Sequence, residues 1–378
     1  MRSALALVTI AAAFAGAVLT AVAWYYTVLL RHSALRTNTG PDRRNLLITI
    51  VEEGVVGLRP IDEDDADLDS AATFGLEWAD GRAEVGGSLG TRDGFVLRPF
   101  RGLHGELPRP GEMARLDPFV FGEDPLTAHS LDFEEVTVET PAGPAPAWYV
   151  RGESRTWAIA VHGKGAGRRE VLRILPALAE AGLPVLVPTY RNDPELPAVP
   201  GQLHGYGQRE WPDIEAAVAH AIAAGAERVV LVGFSMGAGI GLAFMQHSPL
   251  ASRVAALVFD SPMLSLRGVV ERRARGHGMP APLVAYGRAV ASWRFGVDWK
   301  ATDYRTFACS LQLPILLFHG DVDATIAVHF SDELAAACPE NVRYVRCPGA
   351  RHVRSWNADP EGYHTAVVRF LRNLPPTS

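Results

Sequence analysis

The chain has 378 residues, 48% of them apolar and 21% charged, with a net charge of −6. Those values exclude a disordered chain, and the acidic balance leaves no global footprint for nucleic acid. The three cysteines, Cys309, Cys338 and Cys347, have no CxxC spacing, which excludes a zinc site or a disulfide framework and leaves room for one bridge.

The first element is an uncharged run over residues 4–30, longer than the roughly 20 apolar residues that span a bilayer. Trp24, Tyr25 and Tyr26 stand near its end, where amphipathic rings favour the membrane interface. A transmembrane helix or uncleaved signal anchor is therefore expected over residues 1–30. A cleaved signal peptide with Ala21-Val22-Ala23 as its cleavage site is the competing reading. Against it, the run exceeds the roughly 7–15 residues of a signal core, and only Arg2 precedes it. Arg31, Arg36, Arg43 and Arg44 follow the span, so the positive-inside bias favours a single-pass protein with the rest of the chain in the cytoplasm; export is the alternative.

A polar linker over residues 31–45 comes next. Residues 46–129 are rich in Gly, Pro and acidic side chains, with period-two runs at 46–51 and 95–100 that read as short strands. This is an accessory β-rich segment with a solvated acidic stretch at 61–69 and no evident chemistry. From residue 130 the texture changes. Runs at 135–139 and 147–151 flank a Pro/Gly turn and read as a hairpin. Apolar strands are then expected at 157–161, 184–188, 228–232, 254–259, 314–318 and 342–346. Helices are expected at 169–181, 211–224, 236–246, 330–338 and 361–372. That alternation implies a mostly parallel sheet covered by helices on both faces, with an active site at the carboxyl ends of the strands.

The chemistry-bearing residues fall at that edge. Gly233-Phe234-Ser235-Met236-Gly237 stands between an apolar strand and a small-residue helix. There the turn exposes the Ser235 hydroxyl, and the flanking glycines let strand and helix approach closely. A serine nucleophile needs a base, and the base needs an orienting acid. Asp323 follows the strand at 314–318 and His352 follows the strand at 342–346, giving the order Ser, Asp, His. Asp321 and Asp260 are rival acids, Asp321 reading as a turn cap. Asp323 is favoured, since one carboxylate holds the imidazole N–H. Two backbone N–H groups should form the oxyanion hole. Met236 directly follows the nucleophile, and Lys164 lies in the loop His162-Gly163-Lys164-Gly165-Ala166-Gly167. That loop lacks the third glycine of a dinucleotide fingerprint, and the sequence calls for no cofactor or metal.

His162-Gly163, Gly233-Phe234-Ser235-Met236-Gly237, His319-Gly320-Asp321-Val322-Asp323 and Gly349-Ala350-Arg351-His352 resemble the α/β-hydrolase superfamily over residues 130–375. Tyr190-Arg191-Asn192-Asp193 and Glu210-Trp211 are similar to blocks in bacterial membrane-associated serine hydrolases of undefined substrate. The resemblance implies catalytic roles for Ser235, Asp323 and His352 in a domain over residues 130–378. Arg191, Asn192, Asp193, Glu210 and Trp211 themselves read as surface salt bridges and a helix start, with Pro212 in the first turn.

Residues 263–300 form an insertion between strands and are expected to be a lid over the nucleophile. Leu283, Tyr286, Val290 and Trp293 recur at helical spacing and could face an acyl pocket. Arg267, Arg272, Arg273, Arg275, Arg288 and Arg294 outnumber Glu271 and Asp298 there, giving either a solvated basic face or a lid that meets anionic lipid. The expected function is hydrolysis of a small-molecule or lipid ester through an acyl-serine. A peptidase or acyltransferase on the same fold, and a membrane-anchored binding protein without turnover, are the alternatives.

Overall fold

The computed structural model describes residues 2–36, 43–61, 67–193, 195–196 and 203–374. Most of the linker at 37–42 and of the acidic stretch at 62–66 lie outside the described residues.

A helix, α1 (Arg2–Leu30), continues into a π-helical turn (Arg31–Leu35). The single-pass membrane placement expected here does not hold: among the described residues, no helix is long and apolar enough to cross a membrane. The expected sidedness falls with it. The end of α1 is instead committed to the protein. It packs on a later helix, where Thr20 shares a hydrogen bond with the Tyr286 hydroxyl at 3.2 Å and the Thr27 hydroxyl accepts from Arg294 at 3.2 Å. The Arg294 guanidinium lies 3.6 Å from the centre of the Trp24 ring, a cation–π contact. Ala23 and Thr27 are buried as a result.

Seven strands follow: β1 (Leu46–Glu52), β2 (Val55–Pro60), β3 (Phe74–Glu77), β4 (Gly81–Val85), β5 (Gly90–Arg92), β6 (Phe95–Gly105) and β7 (Met113–Asp117). They pair antiparallel in the order β2-β1-β7-β3-β4-β6, and a β2–β6 pairing closes the ring, with β5 added on β6. Closure leaves the ring without edges. Leu46, Ile48, Val56, Leu58, Phe74, Leu76 and Trp78 fill its interior.

After a short helix, α2 (Pro125–His129), the main sheet is built from β8 (Phe133–Thr140), β9 (Gly143–Val150), β10 (Thr156–Val161), β11 (Val185–Pro188), β12 (Arg228–Phe234), β13 (Val254–Asp260), β14 (Ile315–Gly320) and β15 (Val342–Cys347). The spatial order is β15-β14-β13-β12-β10-β11-β9-β8; the pairs from β15 to β11 are parallel, and β9 pairs antiparallel with both neighbours. Alternate residues point to opposite faces. Trp157, Ile159, Val161, Val229 and Leu231 therefore enter one core, and Ala158, Ala160, Val230, Val232 and Phe234 the other.

The connecting helices are α3 (Leu175–Glu180), α4 (Trp211–Ala223), α5 (Met236–His247), α6 (Leu266–Gly276), α7 (Ala281–Phe295), α8 (Arg305–Ser310), α9 (His329–Ala337), α10 (Ser355–Ala358) and α11 (Pro360–Arg372). The single helix expected at 169–181 is broken into a 3-10 turn (Arg168–Arg173) followed by α3. Pro176 is the reason: it has no N–H for the carbonyl of Leu172, and that carbonyl pairs with His129 Nε2 at 2.7 Å instead. Cys309 and Cys338 form the one bridge, joining α8 to the end of α9, while Cys347 is free and buried.

The insertion at 263–300 consists of α6 and α7. Its expected apolar stripe is only partly inward: Leu283 lines a cavity against α1 and α6. Trp293 is 79% exposed and Tyr286 reaches out to Thr20, whereas Val284 and Ala291 are the buried positions of α7. Helical spacing alone cannot say which of two adjacent stripes packs. Several of its arginines are engaged within the protein: Arg267 and Arg288 pair with Glu271, and Arg294 lies on Trp24.

Candidate active site

Ser235 follows β12 and begins the turn into α5 with φ 50° and ψ −112°, a sparsely populated conformation for a side-chain-bearing residue. The glycines on either side make the turn sterically feasible. A Cβ on Gly233 would stand 2.6 Å from the Ala238 backbone, and one on Gly237 only 2.1 Å from the Val161 carbonyl. The Ser235 N–H donates to the Asp260 carbonyl, and the Ser235 carbonyl accepts from the Met263 N–H, both at 3.0 Å. The strained residue is thus pinned from both sides.

The loops after β14 and β15 bring Asp323 and His352 to the same point. Ser235 Oγ lies 2.8 Å from His352 Nε2, and His352 Nδ1 lies 2.7 Å from Asp323 Oδ2. The other carboxylate oxygen accepts the N–H groups of Thr325 and Ile326 at 2.7 and 2.8 Å, and His319 Nε2 stands 3.2 Å from Oδ2. Burial alone would raise the Asp323 pKa. Hydrogen bonds from His319 and His352, the charge of His352 and the Ile326 N–H outweigh it and hold the carboxyl well below the usual carboxylate range. Asp323 is therefore an acceptor, which assigns the Nδ1 proton to His352 and leaves Nε2 to accept from Ser235.

The rival acids are placed elsewhere. Asp321 caps the Gly349 N–H at 2.7 Å. Asp260 is buried, and its Oδ1 accepts from the hydroxyls of Ser261 and Ser355 at 3.0 and 2.9 Å. Burial pushes Asp260 up to about 6, opposed by the charge of Arg173 and the hydroxyls of Ser355 and Ser261.

Met236 opens α5, so its N–H has no acceptor within the helix. In the loop after β10, the Gly163 N–H is committed to Glu170 Oε2 at 2.5 Å, which leaves Lys164 as the next donor along the loop. The Lys164 ammonium reaches the Ser33 carbonyl at 2.9 Å, and burial together with the charge of Arg273 depresses its pKa. Among the described residues, no group of His, Cys, Asp and Glu could hold a metal ion.

Sequence reasoning missed what holds this loop. His162 is fully buried, with Nε2 2.5 Å from Asp193 Oδ2 and Nδ1 2.8 Å from the Gly163 carbonyl. Burial opposes the charge, but pairing with Asp193 raises the His162 pKa and lowers that of Asp193. The Tyr190 hydroxyl donates to the His162 carbonyl at 3.0 Å. Asp193, Glu210 and Asp213 are buried, which corrects the expectation of surface salt bridges. Glu210 accepts the N–H groups of Gly205 and Gly207, and Asp213 pairs with Arg191. The apolar run of β11 marks a buried strand, but no residue pattern in its exit loop signals the buried carboxylates.

On the far side, Arg173 donates to the Val353 carbonyl at 2.8 Å and to Asn357 Oδ1 at 2.7 Å. Asn357 Nδ2 in turn donates to the carbonyls of Thr73 and Pro118 at 2.7 and 2.9 Å. Asp67 pairs with Arg351 and Arg354, which flank His352. The barrel side of the molecule is thereby fastened to the loop that carries His352.

No family model matches the chain, and no curated protein matches it. Solved structures do. An esterase from Pyrococcus furiosus, in three crystal forms, superposes with TM-scores of 0.54, 0.53 and 0.52 at 21%, 22% and 21% identity. The match covers 67% of this chain in each case, and 95%, 97% and 94% of the esterase.

Proposed function

We propose that this chain, which has the α/β-hydrolase fold, is a serine hydrolase that cleaves carboxylic esters through an acyl-serine intermediate. The observation that carries the reading is the hydrogen-bonded line from Ser235 Oγ through His352 to Asp323, with steps of 2.8 and 2.7 Å. In this reading His352 Nε2 takes the Ser235 hydroxyl proton as Oγ attacks the ester carbonyl carbon. The resulting oxyanion accepts the N–H groups of Met236 and Lys164. The C–O bond to the alcohol then breaks, and His352 returns the proton to the leaving oxygen. Water enters, gives a proton to His352, and attacks the acyl carbon; Ser235 leaves with that proton and the carboxylic acid departs. Asp323 stays a carboxylate throughout and keeps the imidazole in one tautomer. The α6–α7 insertion acts as a lid, and Arg272 Nη1 reaches the Asp323 carbonyl at 3.4 Å.

Hydrolysis of p-nitrophenyl acetate by the full chain tests the reading. Ser235→Ala and His352→Ala should each lower turnover on the order of 10⁴-fold with an unchanged thermal melt. Equal rates in Ser235→Ala and the unmodified protein, or no turnover of any ester, would leave the binding-protein alternative standing.

A further inference from the structure

An apolar cavity of about 540 Å³ lies between the end of α1 with its π-helical turn and the inner faces of α6 and α7. Its walls include Leu30, Val269, Val270, Leu283, Val284 and Trp299. The spacing of α6 produces one wall: Leu266, Val269 and Val270 stand at i, i+3 and i+4, a single helical face. Gly287 lines the opposite wall, and a Cβ there would meet nothing within 4 Å.

Three residues of the cavity wall are tied to segments of the candidate site. Ser33, in its wall, holds the ammonium of Lys164, whose backbone N–H is a proposed oxyanion donor. Tyr206, also in its wall, holds the Ala34 carbonyl with its hydroxyl at 2.8 Å, and its own carbonyl lies 3.6 Å from where a Cβ of Gly239 would stand in the nucleophile helix. Leu266 begins α6 three residues after Met263, whose N–H bonds the Ser235 carbonyl. Three wall segments are thus linked to the proposed site, through Ser33 and Lys164, Tyr206 and Gly239, and Leu266 and Met263, and the cavity lies between α1, α6 and α7.

From this, we propose that the cavity receives the hydrocarbon chain of a medium- or long-chain acyl ester, with α1 and its π-helical turn forming half of the acyl site. The inference rests on the hydrolase reading and names its substrate class. Burial of hydrocarbon in such a cavity is favourable in proportion to the area removed from water, and its volume is in the range of ligand pockets.

Gly287 offers a test that does not touch the triad or the oxyanion loop. Replacing a mid-helix glycine by a larger residue raises helix propensity, so Gly287→Leu and Gly287→Phe should fold while filling the cavity. For the unmodified protein, kcat/KM on p-nitrophenyl esters should rise about fourfold per added methylene from acetate to octanoate. In Gly287→Phe the rise should stop by butyrate. Calorimetry with dodecanoate gives a readout independent of turnover, and Gly287→Phe should bind it at least tenfold more weakly. Turnover of acetate with a flat chain-length profile, or one unchanged in Gly287→Phe, overturns the acyl site and leaves the hydrolase reading. Dodecanoate binding that Gly287→Phe weakens, with no turnover of any ester, overturns the hydrolase reading and leaves the site. Loss of both overturns both.

Discussion

At the scale of single residues, two buried aspartates near Ser235 have opposite electrostatics, and that separates their proposed roles. Asp323 is held low by hydrogen-bond donors and Asp260 is raised to about 6 by burial. Asp323→Asn should lower kcat on the order of 10⁴-fold. The amide oxygen stays on the Thr325 and Ile326 N–H groups, so the NH2 faces His352 Nδ1 and donates to it, which moves the imidazole proton to Nε2 and removes the acceptor for Ser235. Asp260→Asn should stay within tenfold of the unmodified protein in the same assay. The linkage signs differ as well. The stability that Asp323 contributes is present above its unfolded pKa near 4 and is lost as pH falls toward its folded value. Asp260 binds its proton more tightly in the folded state, so its contribution is most favourable below pH 4 and is lost as pH rises through about 6, a change on the order of 3 kcal/mol. Denaturant titrations should show Asp260→Asn gaining on the unmodified protein between pH 4 and 7 and then levelling off. A difference independent of pH would contradict the buried-carboxyl account. Ser235, Asp323 and His352, the proposed triad, could be picked out in the sequence because each lies in a loop that follows an apolar strand. Asp193, Glu170 and Arg173 could not, because their partners His162, Gly163 and Val353 are brought close only by the fold.

At the scale of elements, the loop between β15 and α11 is fastened on two sides. Asn357 is fully buried and shares hydrogen bonds with Arg173, Thr73 and Pro118. Arg98, also buried, donates to the Asp67 and Leu68 carbonyls and so shapes the segment from which Asp67 pairs with Arg354. Asn357→Ala leaves two carbonyls and a guanidinium short of partners, so unfolding free energy should drop by about 3 kcal/mol in a urea titration. A drop below about 0.5 kcal/mol would mean that the barrel is not fastened through this residue. The period-two runs of β1 and β6 could be read from the sequence. Barrel closure could not, since it depends on the β2–β6 pairing between segments of ordinary composition. Likewise, Pro176 divides the helix expected at 169–181, and its consequence is visible only with His129 in place to take the freed carbonyl.

At the scale of the whole molecule, α1 is bound to α7 and the π-helical turn to the loops that follow β10 and β11. The Leu35 carbonyl accepts from the His204 N–H at 2.7 Å, and the Leu35 side chain enters the main core. Hydropathy alone recommended a bilayer for this segment, whereas its C-terminal part packs on α7 and buries Ala23 and Thr27 there. Trp24→Ala, which removes the ring beneath Arg294, should speed amide exchange across residues 20–35 and leave the barrel unaffected. Unchanged exchange there would mean that the contact does not hold the helix.

The proposed hydrolysis requires Ser235 to be an activated nucleophile. A fluorophosphonate probe followed by peptide mass spectrometry tests it most directly: the adduct should fall on Ser235 and vanish in Ser235→Ala and His352→Ala. Absence of any adduct on the folded protein, or labelling that persists in Ser235→Ala, would contradict it.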